Sequence, residues 1–240
     1  AGDRVALGEP GYPSYRQILR AMSVEPVGMQ TRPENRYQPV LSDIPEGVQG
    51  VILASPHSGR DYPPWFLAES VLDPLALRSS EDAFVDRLIE PALDHGAVVL
   101  NSLVPRSLVD LNRSADEMDP LVVSGAMPRV MSPRIMAGLG VIPRVVSQGR
   151  PILERPIDRT EAERRIDAYW RPYHQALAAL IAEARQRFGQ AILIDMHSMP
   201  HDALNHLHGQ RPDMVLGNRH GISAAARVSD AIVAAVEAEG

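Results

Sequence analysis

Apolar residues in this chain come in two textures. Short runs closed by turn residues alternate with stretches in which apolar positions recur every three or four residues, a pattern that predicts buried strands joined by amphipathic helices. Val48 to Ser55 is the first run, and Pro56, His57, Ser58 and Gly59 stop it, so it reads as a buried strand ending in a turn. Ala97 to Leu100 reads as the next strand, and Ser107 to Leu111 as a further one leading into Asn112 and Arg113. Gln190 to Met196 is a second buried strand, which delivers His197 at its end. Between the first two, Ser79 and Ser80 precede Glu81 and Asp82, and Phe84, Val85, Leu88 and Ile89 follow at helical spacing. A capped helix is expected to start there. Thr160 to Phe188 carries the clearest helical pattern, with Ile166, Tyr169, Tyr173, Leu177 and Leu180 on one apolar face and Pro172 expected to kink it. Ile222 to Glu239 reads as a final amphipathic helix.

Two stretches lack such a period. Residues 1–47 are rich in Pro, Gly and Arg and read as an N-terminal arm or cover, with a short helical candidate from Ser14 to Met22. Residues 48–240 then form a single α/β domain. Within it, Ala115 to Pro156 is dense in Pro, Gly, Met and Arg, and reads as a long irregular excursion of the kind that covers active sites. The alternation of strand and helix elsewhere predicts a parallel or mixed sheet.

Composition acts mainly by exclusion. The 240 residues, 45% of them hydrophobic, suffice for the core of one large α/β domain. The formal net charge is −6 and the basic residues are interleaved with acidic ones, so no cationic stripe is available for nucleic acid. No apolar run has bilayer-spanning length, and no membrane partner is expected; the reading is a soluble, cytoplasmic protein. With no cysteine, disulfides, thiolate catalysis and thiolate ligands all drop out, and a metal must be held by His, Asp or Glu. A GxSxG elbow, a phosphate loop and a dinucleotide fingerprint are all missing.

His57 and His197 occupy equivalent positions, each just beyond an apolar strand, and open α/β sheets bind ligands at the carboxyl ends of their strands. A catalytic zinc commonly takes two histidines, one carboxylate and a water, so a hydrolytic zinc site is expected here. Asp61, Glu81, Asp82, Asp86 and Asp195 are the carboxylates on offer. Asp82 is favoured, with Glu81 its nearest rival, although both could instead serve a helix N-terminus. Asp195 alternates with Met196 ahead of His197, which suits it to orient that histidine. A second cluster, Arg106, Asp110, Asn112 and Arg113, suits an anionic substrate, or else holds a structural Arg106–Asp110 ion pair. His95, His174, His201, His206, His208 and His220 read as surface, core or supporting residues.

Five segments, PHSG, SEDAFVDRL, RSLVDLNR, YWRPYH and IDMHSM, resemble in this order the N-formylglutamate amidohydrolase family, over Val51 to Gly221. DLNR and the paired histidines are also similar to the zinc carboxypeptidase-like superfamily. The resemblance implies a three-layer α/β/α, phosphorylase/hydrolase-like fold with a mixed, mostly parallel sheet. It implies one zinc on His57, His197 and the acid of the SED segment, Asp82. It further implies that Asn112 and Arg113 bind a substrate carboxylate, and that Arg106 holds a second carboxylate or polarises the carbonyl. The implied substrate is a small N-acyl amino acid, foremost N-formyl-L-glutamate in histidine degradation, with a carboxypeptidase or deacylase of other N-acyl substrates as the neighbouring alternative. One departure stands out: the superfamily places a catalytic glutamate on a strand well beyond the second zinc histidine. No such strand is read after His197, and Glu237 and Glu239 fall in a helical pattern. The general base is therefore unassigned, which leaves three expectations: a chain that continues past Gly240, a base from elsewhere, or a zinc- and carboxylate-binding module without turnover.

Overall fold

The run of aliphatic residues after Val48 becomes the middle of a sheet because its neighbours on both sides are also short, apolar and extended. The computed structural model describes residues 4–9, 25–30, 50–128, 130–204 and 212–239. Strands β1 (Arg4–Glu9) and β2 (Glu25–Gln30) pair in parallel in a stretch whose sequence shows no sustained period. The helical candidate at 14–22 lies outside the described residues. Strand β3 (Gly50–Ser55) then runs between β4 (Val98–Asn101) and β7 (Ala191–Asp195). Both pairings are parallel, with Ile52 opposite Val98 on one side and Leu193 on the other. A shorter parallel pair, β5 (Val123–Ser124) with β6 (Ile157–Asp158), brackets most of the irregular excursion.

The class is α/β, and every strand pair among the described residues is parallel. Parallel pairing matters for function, because it brings the carboxyl ends of β3 and β7 to one edge, where Ala54 faces Asp195.

Several elements differ from their sequence-based expectation. Ser107 to Leu111 is not a strand: it folds as turns, with Leu108 donating to the Pro105 carbonyl and Asp110 to that of Val141. Its apolar residues are buried all the same, Leu108 and Val109 at 0% exposure, because this loop lies within the core. The helix expected from Ser80 begins only at Val85 and ends at Ile89, behind Phe84 in the left-handed region at φ 64°. Ser79 and Ser80 instead turn their hydroxyls back to the carbonyls of Ala76 and Leu77, at the end of the preceding helix, Pro74–Arg78. The long helix is continuous through a π-helical turn, Ile166–Trp170, between Arg159–Arg165 and Arg171–Phe188. Arg171 donates to the Ile166 carbonyl, a wider loop that accommodates Pro172, which has no N–H and crowds a regular helix. The last helix starts at Ala226 rather than Ile222. Strand β7 is not buried: it is an edge of its sheet among the described residues, and Leu193 is 42% exposed.

The main apolar cluster sits under the excursion. Phe66, Leu77, Leu108, Val123, Val141, Ile142, Ile152 and Ile166 meet there, so the irregular segment is packed despite having little secondary structure. No described helix is long and apolar enough to cross a membrane.

Candidate metal centre

His57 leaves β3 in a turn that backbone contacts hold tightly. Ser102 donates to the Ser55 carbonyl and Asp61 to that of Leu103, so the segment after the strand lies against the exit of β4. The approach is so close that a Cβ on Gly59 would stand 2.1 Å from the Val104 carbonyl oxygen. Only glycine fits there. Asp82 is delivered by His57 itself, since its backbone N–H donates to the His57 carbonyl at 3.0 Å. On the other side, Met196 donates to the Ala54 carbonyl at 2.7 Å, extending the β3–β7 ladder up to the residue before His197.

These three side chains converge, with one candidate ligand atom from each lying within 4.8 Å of the others. Asp82 Oδ2 is 2.8 Å from His197 Nδ1 and 3.5 Å from His57 Nδ1, and the two imidazole rings are 4.8 Å apart. The opposite nitrogens are each held by a carboxylate: His57 Nε2 lies 2.7 Å from Asp110 Oδ1, and His197 Nε2 lies 3.0 Å from Asp195 Oδ2. A carboxylate only accepts, so Asp110 favours the proton on His57 Nε2 and leaves His57 Nδ1 as a lone pair, whereas His197, with a carboxylate at each nitrogen, carries both protons until a metal takes the place of the one on Nδ1. His57 Nδ1 is buried without a hydrogen-bond partner. An orphaned buried nitrogen beside a shared carboxylate, with its ring backed by a second one, is a donor set that fits a divalent metal.

The electrostatics agree. Burial pushes Asp82 upward, but the hydrogen bond from His197 and the nearby His57 imidazole outweigh it and hold the carboxyl well below its ordinary range. Asp110 is likewise pushed up by burial and driven down by His57, Arg106 and Arg113. Asp195 and then Asp82 push His197 up to about 9 against its burial. Carboxylates thus stabilise a positive charge at this spot, which a proton supplies in the metal-free protein.

The other carboxylates are committed elsewhere. Glu81, the rival of Asp82, accepts from the Tyr62 hydroxyl at 2.7 Å and from Arg78 Nε at 3.2 Å. Asp86 forms a two-pronged pair with Arg60, and Asp61 is exposed and outside the convergent group.

Beside Asp82 opens a cavity of about 540 Å³, walled by Arg106, Asp110, Leu139, Val145, Gln148 and Met199 among others. Leu139, Val145 and Gln148 come from the excursion, which the sequence marked as a cover, and Met199 comes from the segment after His197. Arg106 lines the cavity while donating to Asp110 Oδ2 at 2.7 Å, so the structural ion pair is real and its residue is also part of the cavity wall. Asn112 and Arg113 do not line it. Asn112 Nδ2 donates to Asp195 at 3.2 Å and lies 3.0 Å from His197 Nε2, and Arg113 donates to the carbonyls of Leu139 and Asn112. The bond from Asp110 to His57 was missed by sequence reasoning, which paired Asp110 only with Arg106. His174 is part-buried on the Leu111 carbonyl, and His220 is exposed. His206 and His208 lie outside the described residues, as do the side chains of His95 and His201.

The profile of the family described as N-formylglutamate amidohydrolase matches residues 49–240. The N-formylglutamate deformylase of Pseudomonas aeruginosa is 31% identical over 193 residues, covering 78% of this chain and 67% of its own length. The crystal structure of N-formylglutamate amidohydrolase from Ralstonia eutropha JMP134 superposes with a TM-score of 0.67 at 35% identity, covering 76% of this chain and 66% of that one. The chain therefore spans about two thirds of the length of these relatives. A shorter match, 42% over 103 residues, is to a valine–pyruvate aminotransferase of Mycobacterium tuberculosis, of which it covers 25%. Because the profile match takes in both histidines, Asp82 and the whole 106–113 segment, the chain belongs to the N-formylglutamate amidohydrolase family.

Proposed function

We propose that this chain hydrolyses the N-formyl amide of N-formyl-L-glutamate, or of a closely similar N-acyl acidic amino acid, with one zinc ion held by His57, Asp82 and His197. The observation that carries the reading is the convergence of those three side chains around the orphaned His57 Nδ1, with Asp82 also lining a cavity. Two imidazoles and a carboxylate are a usual zinc donor set. Zinc bound there supplies a Lewis acid that lowers the pKa of bound water toward ~7 and polarises the amide carbonyl.

The remaining chemistry belongs to the protein. Asp110 and Asp195 keep the Nδ1 lone pairs of His57 and His197 facing inward. Arg106, on the cavity wall, offers its free N–H groups to a substrate carboxylate or to the amide oxygen as charge develops on it. Asn112 and Arg113 take the second carboxylate, exchanging their present partners for it as the substrate enters. Leu139, Pro143, Val145 and Val146 give the cavity an apolar side beside Arg106. The architecture that goes with this reading is a three-layer α/β/α domain over residues 48–240, with residues 1–47 as an arm.

One observation favours a second reading, a zinc- and carboxylate-binding module without turnover. The carboxylates lining the cavity, Glu81, Asp82 and Asp110, all have partners, so none stands free as a general base. One assay separates the two readings. The purified chain, loaded with zinc, is expected to release formate from N-formyl-L-glutamate and to lose that activity to a chelator. Stoichiometric zinc without formate release selects the second reading, and activity that survives complete metal removal rejects both.

A further inference from the structure

One sequence segment that the metal and the cavity do not use is YWRPYH, and the structure shows what it touches. Trp170 and His174 stand one helical turn apart across the π turn, with ring centroids 3.9 Å apart. Trp170 Nε1 donates to the Arg113 carbonyl at 2.8 Å, and His174 Nε2 lies 2.9 Å from the Leu111 carbonyl. A carbonyl can only accept, so His174 carries its proton on Nε2. The two carbonyls flank a single residue, Asn112. Tyr173, beside His174 in an edge-to-face contact, is buried and senses the charge of Asp195.

We infer that Trp170 and His174 are positioning residues that clamp the Leu111–Arg113 backbone and so fix the direction in which Asn112 and Arg113 present their side chains to the substrate. Both bonds are made to main chain, on either side of the residue whose amide reaches Asp195 and the edge of His197. Without them, the peptides around Asn112 keep bonds made within their own loop: Asn112 N to Asp110 Oδ1, Arg113 N to the Asp110 carbonyl, the Arg113 guanidinium to the Asn112 carbonyl, and Ser114 N to Glu117. The π turn gives this clamp its local form, because it lets the helix pass Pro172 without breaking and keeps Trp170 and His174 stacked on one face. The inference rests on the carboxylate-binding roles proposed for Asn112 and Arg113.

The test uses the zinc-loaded chain and the variants Trp170→Phe and His174→Phe, each of which keeps a ring and removes one donor, with His174→Gln as the variant that keeps a donor. Each donor-less variant should raise KM for N-formyl-L-glutamate about tenfold with kcat within about threefold, the pattern of lost binding rather than lost chemistry. His174→Gln should return KM most of the way to wild type. Hydrogen exchange at the amides of residues 110–113 should speed up about tenfold in the two donor-less variants while zinc content stays stoichiometric. KM within twofold of wild type, or wild-type exchange rates in that loop, overturns the clamp. If the zinc-loaded wild type releases no formate, it is the functional reading that fails, and the exchange rates alone decide the clamp.

Discussion

His57 is the most constrained side chain in the centre. It is 3% exposed, its Nε2 is fixed on Asp110, and its Nδ1 has no hydrogen-bond partner. Asp110 is itself held by Arg106 and by the backbone N–H of Asn112, so the imidazole is oriented by a carboxylate that cannot easily turn away. Carboxylates placed behind metal-binding histidines commonly contribute 10- to 100-fold in affinity. Asp110→Asn should therefore weaken zinc binding about 10- to 100-fold with the far-ultraviolet circular dichroism unchanged, as measured by competition with a chelator of known affinity. Unaltered affinity would remove Asp110 from the centre. The same residue shows where a sequence stops being legible. His57 and His197 could be found from their positions just past apolar strands, because those signals are local, whereas Asp82 was picked out by a helix start that falls three residues later, at Val85. The partnership of Asp110 with Arg106, one of the two readings the sequence offered for that cluster, is local too, four residues apart, and it forms. Its bond to His57 spans 53 residues and is created only when the loop folds against the strand exit. Asp82 was favoured over Glu81 without a clean separation for a related reason, since the choice depends on where Tyr62 and Arg78 end up.

At the scale of elements, the strands that carry the site were readable because short apolar runs closed by turn residues have few other ways to fold. Ser107 to Leu111 shows the weakness of that signal. Burial makes a run apolar whether it pairs in a sheet or turns within the core, and here Pro105 and the Val141 carbonyl draw it into turns. The helix Pro74–Arg78 did have a signal, Asp73 followed by proline, and Asp73 accepts from Ala76 N at 2.8 Å as an N-cap should. The PHSG turn is the element on which the site depends most directly, since Gly59 lets the chain pass the Val104 carbonyl with no room for a side chain. Gly59→Ala should force that backbone apart and cost about 1–3 kcal/mol in urea unfolding. It should weaken zinc binding as well, because His57 lies two residues upstream in the same turn. A variant with wild-type stability and wild-type zinc affinity would show that the contact yields freely and that the turn does not set the ligand's position.

For the whole molecule, a metal held by His57, Asp82 and His197 would be coupled to folding through the same charges. In the metal-free protein, Asp195 and Asp82 raise His197 from 6.5 to about 9. A raised histidine pKa adds folding stability that is complete below the unfolded value and is lost as the pH climbs through the folded one. Metal-free protein should therefore lose that contribution between 6.5 and about 9. Zinc requires the same nitrogen deprotonated, so its apparent affinity rises over the window in which the proton's contribution fades. A metal present at a hundred times its dissociation constant stabilises the folded state by about 2.7 kcal/mol. The difference in Tm between zinc-loaded and chelator-treated protein should accordingly be smallest at the acid end of this window and widen toward its alkaline end. Thermal unfolding at fixed free zinc across the window measures it directly. A constant or narrowing difference would mean that zinc does not displace the proton on His197, and the ligand set would have to be redrawn around His57 and Asp82. A widening difference would connect three scales: a histidine held by two carboxylates, the parallel strands that bring it opposite His57, and a fold whose stability takes its pH dependence from the metal it carries.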